Sequence, residues 1–264
     1  MTFSYSALSW TTEKHLRQYL QLWPGCSFEE GQRIAQEAVV YHRTSRALRN
    51  IPEMCTDLLE QRWYASLAQG KPDYTVYNDV RYAGDLWACW LLYSRRYLRN
   101  IGSLIQSGWS PRLSRIADLG CGIGYSTAVL KQFWPAAMVY GTNLEGPQAQ
   151  TARSIGKSIG FTVEPAIVGQ VDLIFASEYF EHFDHPFDHV LDVLQRGSFP
   201  RYLIIASTFG SRSVGHFDTY YDERGYAQPG KSVGRQFNAL LRAHGYRMRK
   251  TSFWNNRPAI WERI

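Results

Sequence analysis

Cysteine is scarce in this sequence, and the four cysteines do not occur in closely spaced pairs. Cys26, Cys55, Cys89 and Cys121 form no C-x-x-C motif and have no regular spacing. Structural zinc sites and the disulfide frameworks of small secreted domains need such spacings, so neither is expected. Unpaired thiols are typical of a reducing compartment, which predicts a cytoplasmic protein.

Long apolar runs are lacking as well. The longest, from Leu86 to Tyr93, is flanked by Asp85 and by Arg95 and Arg96. A helix that crosses a bilayer needs about 20 apolar residues, so this run is too short. Met1 to Trp10 do not show the basic segment and apolar segment of a secretory signal. We therefore expect neither a membrane span nor a membrane partner.

Acidic residues are outnumbered by basic ones. The 264 residues include 29 Lys and Arg against 23 Asp and Glu, which gives a net charge of +6. Such a charge attracts nucleic acid and phosphorylated substrates. Six arginines recur at helical spacing in two groups, Arg43, Arg46 and Arg49, and Arg95, Arg96 and Arg99. A solvated helix face has the same spacing, so a nucleic-acid partner is open but not required.

Two regions differ in their periodicity. Residues 1–107 carry helical patterns alone, whereas residues 108–264 alternate strand-like and helical segments. This alternation predicts an α/β domain with a doubly wound, mostly parallel sheet, preceded by an all-helical N-terminal region. Seven strands are predicted, at Arg115–Leu119, Ala137–Gly141, Phe161–Glu164, Val171–Ala176, Tyr202–Ser207, Tyr246–Trp254 and Ala259–Ile264. Asn255 to Pro258 form the predicted turn of the closing strand pair.

A glycine-rich turn lies between the first strand and the helix that follows it. Gly120, Gly122 and Gly124 are spaced by two, and Asp118 precedes the first of them. Dinucleotide sites use the different spacing G-x-G-x-x-G, with a pyrophosphate at the helix N-terminus. An acidic residue ahead of the loop repels pyrophosphate but can bind an ammonium group. The turn therefore favours a cationic ligand.

This turn resembles motif I of the class I S-adenosylmethionine-dependent methyltransferases, which have a Rossmann-like core. The resemblance covers about residues 111–264 and implies that the closing strand pair provides strands six and seven. It also implies that S-adenosylmethionine is the methyl donor and binds at Asp118, Gly120, Cys121, Gly122 and Gly124, with the Asp118 carboxylate near the methionine ammonium.

The end of the second strand departs from the family's pattern. An acidic residue usually accepts both ribose hydroxyls there, and this sequence has Asn143 instead. An amide can accept from one hydroxyl and donate to the other. Glu145 points to the same side if the strand continues, and is the alternative ribose ligand. A further departure is the short segment Pro165 to Gln170, which leaves the adenine contacts unassigned.

After the fourth strand the chain reads Ser177-Glu178-Tyr179-Phe180-Glu181-His182. This segment resembles the strand-four motif of small-molecule methyltransferases, which places Ser177 at the donor. If residues 178–182 form a helical turn, Glu178, Glu181 and His182 share a face.

The same E-x-x-E-H pattern, with His216 after the fifth strand, is similar to the metal site of some O-methyltransferases. Glu178, Glu181, His182 and His216 are therefore candidate ligands for Mn²⁺, Fe²⁺ or Mg²⁺. Many metal-free members carry similar residues, so a role of Glu181, His182 and His216 in acid–base catalysis or packing stays open.

The resemblance implies an enzyme that methylates oxygen or nitrogen of a small, aromatic acceptor. Tyr77 to Trp90 are rich in aromatic residues and are predicted to cover the donor site. The tetrapeptide Ser177 to Phe180 differs from the Asn/Asp-Pro-Pro-aromatic motif of DNA amino-methyltransferases. Two alternatives stay open: methylation of RNA 2′-hydroxyls or of another phosphate-bearing nucleotide, and donor binding without catalysis.

Overall fold

A computed structural model describes residues 13–44, 55–222, 224–249 and 258–264. The N-terminal part of this structure is helical, as the sequence predicts. Ser27 caps the second helix, because its hydroxyl accepts a hydrogen bond of 3.1 Å from the Glu30 amide. Within the described part of this region, five α-helices precede the first strand: α1 Glu13–Leu20, α2 Phe28–Thr44, α3 Cys55–Ala68, α4 Tyr82–Cys89 and α5 Arg95–Gln106. No helix within the described ranges is long and apolar enough to cross a membrane.

One long helical segment connects this region to the sheet. The sequence predicts a single helix from Asp79 to Ile101, whereas the structure has α4, a π-helical turn over Trp90–Ser94, and α5. The Arg95 amide donates to the Trp90 carbonyl, five residues back, which widens the helix by one residue at this turn. Such π turns often lie at functional sites.

Among the described residues the main sheet has seven strands, as predicted: β1 Arg115–Leu119, β2 Met138–Thr142, β3 Thr162–Glu164, β4 Leu173–Ser177, β5 Tyr202–Ala206, β8 Tyr246–Met248 and β9 Ala259–Arg263. Their order across the sheet is β3-β2-β1-β4-β5-β9-β8. β1 pairs in parallel with β2 and β4, and the closing strands β8 and β9 pair antiparallel. The prediction of a class I methyltransferase fold is confirmed by this architecture.

Both faces of the sheet are buried. In β4, Leu173 and Phe175 belong to one apolar core and Ile174 and Ala176 to another, because successive side chains of a strand point to opposite faces. Helices of both regions pack into these cores, so the N-terminal helices share their packing with the sheet. The helices between and after the strands are α6 Tyr125–Phe133, α7 Pro147–Ile159, α8 Pro186–Arg196 and α9 Gly230–Ala243.

A small hairpin was not predicted. β6, Tyr220–Tyr221, pairs antiparallel with β7, Ala227–Gln228, apart from the main sheet. Two-residue strands are too short to show the period-two pattern that identifies a strand. Two predicted features lie outside the described residues: the arginines Arg46 and Arg49, and the turn from Asn255 to Pro258 except for Pro258 itself.

Two helical glycines provide a test of the packing. A Cβ at Gly156 of α7 would lie 2.4 Å from the Phe161 carbonyl oxygen, whereas a Cβ at Gly234 of α9 would have its nearest neighbour, Phe209, at 3.9 Å. We expect Gly156→Ala to lower the free energy of unfolding by roughly 1–3 kcal/mol because backbone must shift. Gly234→Ala should raise it by about 0.5–1 kcal/mol through helix propensity. Urea denaturation measures both free energies of unfolding. If the two substitutions changed this free energy in the same direction, the observed packing would be contradicted.

Candidate active site

The glycine-rich turn has the conformation that requires glycine. Gly120, Gly122 and Gly124 have backbone φ angles of +61°, +54° and +91°, which residues other than glycine rarely adopt. Gly124 precedes α6 directly. The turn therefore leaves β1 sharply and directs its backbone toward the carboxyl edge of the sheet.

Two side chains lie against these glycines. A Cβ at Gly120 would come within 2.5 Å of the Tyr179 ring, and one at Gly122 would come within 3.0 Å of Leu86. The sequence predicts that the glycines make room for a ligand, and the structure shows that Tyr179 and Leu86 use part of that room. The turn is thus in contact with α4 and with the segment after β4.

Asp118 lies beneath the turn. Its side chain is buried, and one carboxylate oxygen accepts hydrogen bonds of 2.6 Å from the hydroxyls of Ser126 and Thr127. Burial raises its pKa to about 7, and the two hydroxyls oppose this shift. The carboxylate does not line the cavity above the turn. In this position it joins the end of β1 to the start of α6, and its predicted role as ammonium ligand stays a prediction.

A cavity of about 740 Å³ opens beside the turn, and Gly120, Cys121 and Gly122 form part of its wall. Gly124 does not line it. The ends of β2 and β4, the loop after β5, and α4 with its π turn provide the other walls. Ligands of open α/β sheets bind at the carboxyl ends of the strands, so this cavity is the candidate active site.

The two candidate ribose ligands differ in position. Asn143 lines the cavity, and its amide donates a hydrogen bond of 2.7 Å to the Gly122 carbonyl. Glu145 is exposed on a neighbouring groove and forms a bidentate ion pair with Arg153, which lowers the carboxylate pKa. Of the two, Asn143 is in place to contact a ligand in the cavity.

Ser177 and Glu178 form the wall at the end of β4. The Ser177 hydroxyl lies 3.0 Å from the Ser94 hydroxyl of the π turn. Glu178 has a φ of +51°, an unusual backbone conformation for this residue type, and its carboxylate accepts from the Tyr97 hydroxyl of α5 at 3.4 Å. Strained residues of this kind are often found at active sites.

His182 and His216 meet as predicted. Their rings are perpendicular with centroids 4.8 Å apart, and both line the cavity. His216 Nδ1 lies 2.8 Å from the Ser211 carbonyl oxygen, so Nδ1 donates and Nε2 carries the lone pair. His182 Nδ1 lies 3.0 Å from the Tyr77 hydroxyl. Burial, followed by repulsion from His216, lowers the His182 pKa to about 4, which keeps this imidazole neutral near pH 7.

The four predicted metal ligands do not form a metal site. No group of three His, Cys, Asp or Glu side chains among the described residues, which include all four, is arranged to hold a metal ion. The helical turn assumed at residues 178–182 is a 3₁₀ turn over Phe180–His182, and Glu178 lies outside it. Glu181 is fully buried, accepts a hydrogen bond of 3.0 Å from the Thr208 amide, and does not line the cavity. The prediction of one convergent ligand face is therefore wrong.

Several cavity residues are not individually predicted as ligands from the sequence. Asp85 of α4, Gln148 of α7 and Pro165 after β3 line the cavity, as do Tyr82 and Trp90. The aromatic content of Tyr77 to Trp90 was the one signal for this wall, and the segment does lie against the glycine turn through Leu86. Gln148 and Pro165 carried no such signal because their approach depends on how α7 and β3 pack.

Comparison with known proteins finds no matching family model. Trans-aconitate 2-methyltransferase of Escherichia coli strain K12 / DH10B is 40% identical over 82 residues, which are 26% of this chain and 32% of that protein. The same enzyme of strain 55989 / EAEC is 39% identical over the same shares. The chain thus matches about a third of the length of these curated relatives, 32%.

Two solved structures are similar over a larger share of the chain. Magnesium protoporphyrin IX methyltransferase from Synechocystis PCC 6803 with bound SAM has 15% identity and a TM-score of 0.44, covering 86% of this chain and 97% of its own. The mitomycin 7-O-methyltransferase MmcR has 15% identity and a TM-score of 0.46, covering 89% of this chain and 70% of its own.

A further histidine, His189 of α8, allows a test of the packing beside the site. Its Nε2 lies 2.9 Å from the Tyr179 hydroxyl, its ring stacks on Phe183, and burial lowers its pKa to about 4. The unfolded chain takes up this proton near pH 6.5, about its ordinary pKa, whereas the folded chain does not. The free energy of unfolding should therefore fall as pH drops from about 6.5 to 4.

Urea titrations at several pH values check this expectation. His189→Gln should lose less stability than the wild type across that pH window, because its side chain does not titrate. His185→Gln, at an exposed position beside α8, is the matched control and should follow the wild-type curve. Parallel curves for wild type and His189→Gln would contradict the lowered pKa.

Proposed function

We propose that this protein is an S-adenosylmethionine-dependent methyltransferase that methylates oxygen or nitrogen of a small molecule. One observation carries the proposal: the glycine turn at the end of β1 opens into a cavity on which the ends of β2 and β4 converge. The similarity of 82 residues to methyltransferases of known name supports the reaction class. The identity of the acceptor is not carried over from those relatives.

The residues of the turn and of β2 suit the donor. Gly120 and Gly122 bring backbone to the cavity wall without side chains, and Asn143 presents an amide beside them. The Asn143 amide nitrogen donates to Gly122, so its oxygen is the group available to accept from a ribose hydroxyl. Bound there, S-adenosylmethionine would supply a methyl group for in-line transfer to the acceptor nucleophile.

The histidine pair suits the acceptor. An oxygen nucleophile must lose a proton as it attacks, and His216 and the neutral His182 ring both line the cavity. Tyr77 and the Ser211 carbonyl orient the two rings. We infer that one of these imidazoles acts as general base for a hydroxyl acceptor. A nitrogen acceptor that binds unprotonated needs no such base.

Helix α4 and its π turn form the wall opposite the strand ends. Excluding water and aligning the reactants are the main requirements of methyl transfer from a sulfonium. Leu86 packs on Gly122, so displacement of α4 would open the donor position. We infer that this wall is the lid predicted from the aromatic segment.

Charge argues against a polycarboxylate acceptor such as trans-aconitate. Among the described residues that line the cavity, Arg212 is the one Arg or Lys, and it stacks on Tyr64 at 3.9 Å. Asp85 and Glu178 line the same space and would repel carboxylates. For nucleic acid, Arg96 and Arg99 of α5 are exposed, which a solvated helix face also explains. Donor binding without catalysis is separated from methyl transfer by the experiments below.

Donor binding can be tested at the turn. Gly120→Ala places a methyl group 2.5 Å from the Tyr179 ring in a left-handed backbone. We expect calorimetry to show an affinity for S-adenosylhomocysteine lowered by about tenfold or more, the scale of a lost close backbone contact. Gly108→Ala is the matched control, since Gly108 also has positive φ but has nothing within 4 Å. Unchanged affinity of a folded Gly120→Ala protein would contradict the donor site.

The base can be tested in the same way. For a hydroxyl acceptor, His216→Ala or His182→Ala should lower kcat by about 10²- to 10⁴-fold, with affinity for S-adenosylhomocysteine retained. The exposed His185→Ala is the control. Turnover is followed as donor demethylation with each acceptor that the wild type accepts. Full turnover by both cavity variants would contradict the base. If the wild type and both variants bind S-adenosylhomocysteine and the wild type shows no turnover, the result favours donor binding without catalysis.

A further inference from the structure

Asp85 is a cavity carboxylate without a counterpart. It lies on α4 and lines the cavity. Within the part of the chain that the structure describes, its carboxylate forms no hydrogen bond and no ion pair. By contrast, Asp79, six residues earlier, is paired with Arg81. Asp85 is half-buried at the cavity wall. Carboxylates withdrawn from bulk water are normally paired, and the described residues supply no partner for this one.

Its surroundings disfavour an isolated negative charge. Burial raises the Asp85 pKa to about 6, and repulsion from Glu60 adds to the shift. The Cys89 thiol lies one turn along the helix, and its pKa is raised by burial and then by Glu178 and Asp85. The two cavity carboxylates therefore act on the same region. A positive ligand group placed there would stabilise the charged form of Asp85.

The rings around Asp85 favour a cation as well. Asp85 acts electrostatically on Tyr77 and Tyr82, which raises the pKa of both phenols beyond the effect of burial. Both rings line the cavity, and they contact each other edge to face with centroids 5.1 Å apart. Aromatic faces beside a carboxylate are a common environment for ammonium groups. Arg212, the one Arg or Lys among the described residues that line the cavity, is stacked on Tyr64.

Asp118 does not meet these conditions. Its carboxylate is held by Ser126 and Thr127 beneath the turn and lies outside the cavity wall. An ammonium group there would have to share the carboxylate with these two hydroxyls. Asp85 requires no rearrangement of its own hydrogen bonds.

We propose that Asp85 binds an ammonium group inside this cavity. The proposal rests on the proposed function, which offers two sources of such a group: the α-ammonium of S-adenosylmethionine and an amine of the methyl acceptor. Tyr77 and Tyr82 provide the aromatic walls of this subsite, and Glu178 provides the second negative charge. Asp85 is thus a specificity residue of the cavity.

The donor source is tested with two ligands of the full-length protein. S-adenosylhomocysteine carries the α-ammonium, whereas 5′-methylthioadenosine keeps the nucleoside and the thioether and lacks the amino-acid part. If Asp85 binds the donor, calorimetry should show that Asp85→Asn lowers the affinity for S-adenosylhomocysteine by about tenfold or more. The affinity for 5′-methylthioadenosine should be unchanged. Asp85→Glu, which keeps the charge, should recover part of the loss.

The acceptor source is tested with matched amines and alcohols. In the presence of S-adenosylhomocysteine, arylalkylamines should raise the melting temperature of the wild type more than their hydroxyl counterparts. Asp85→Asn should abolish this difference while its affinity for both nucleosides stays unchanged. Asp188→Asn, an exposed position on α8, is the control and should behave as the wild type in both tests.

Two results would overturn the proposal. One is an Asp85→Asn protein that binds S-adenosylhomocysteine as the wild type does, with no amine-dependent stabilisation in either protein. The other is an equal loss of affinity for S-adenosylhomocysteine and 5′-methylthioadenosine in Asp85→Asn, which would indicate that the substitution disturbs the cavity in general. In both cases, binding of the two nucleosides to the wild type would leave the proposed function intact. Absence of all nucleoside binding to the wild type would instead refute the proposed function.

Discussion

The buried carboxylate of Asp118 holds together the part of the molecule on which the site depends. It accepts hydrogen bonds from Ser126 and Thr127, and so ties the last residues of β1 to the first turn of α6. Between these two anchors the chain passes through three left-handed glycines. Because β1 is the strand that pairs with both β2 and β4, this tie also sets where the ends of those strands face the turn.

The fold could be predicted from the sequence because its signals are local. Strands and helices alternate with clear periods from residue 115 onward, and the parallel sheet with its antiparallel closing pair follows from that alternation. The π turn at Trp90–Ser94 and the hairpin β6–β7 gave no such signal. One is a change of a single residue within a helix, and the other has strands of two residues, so neither alters a period.

The site could be predicted in part, because a position along a strand fixes where a residue lies but not where its side chain points. Gly120, Cys121, Gly122, Asn143, Ser177, His182 and His216 line the cavity, whereas Gly124 does not. Asp118 and Glu181 turn instead toward hydroxyl and amide donors of neighbouring segments. Those donors come from α6 and from the loop after β5, and their approach is a result of tertiary packing.

The π turn sets the angular phase between the two halves of a long helix. Ser94 and Tyr97, which lie within and after the turn, contact Ser177 and Glu178 at the end of β4. In an α-helix each residue adds about 100° of rotation. Loss of one residue from Trp90–Ser94 would rotate α5 by about that angle relative to α4 and turn Tyr97 away from Glu178. Chain length within this turn therefore sets how α5 meets the end of β4, so that a one-residue insertion or deletion there would reshape the cavity wall even if the strand ends and the glycine turn were unchanged.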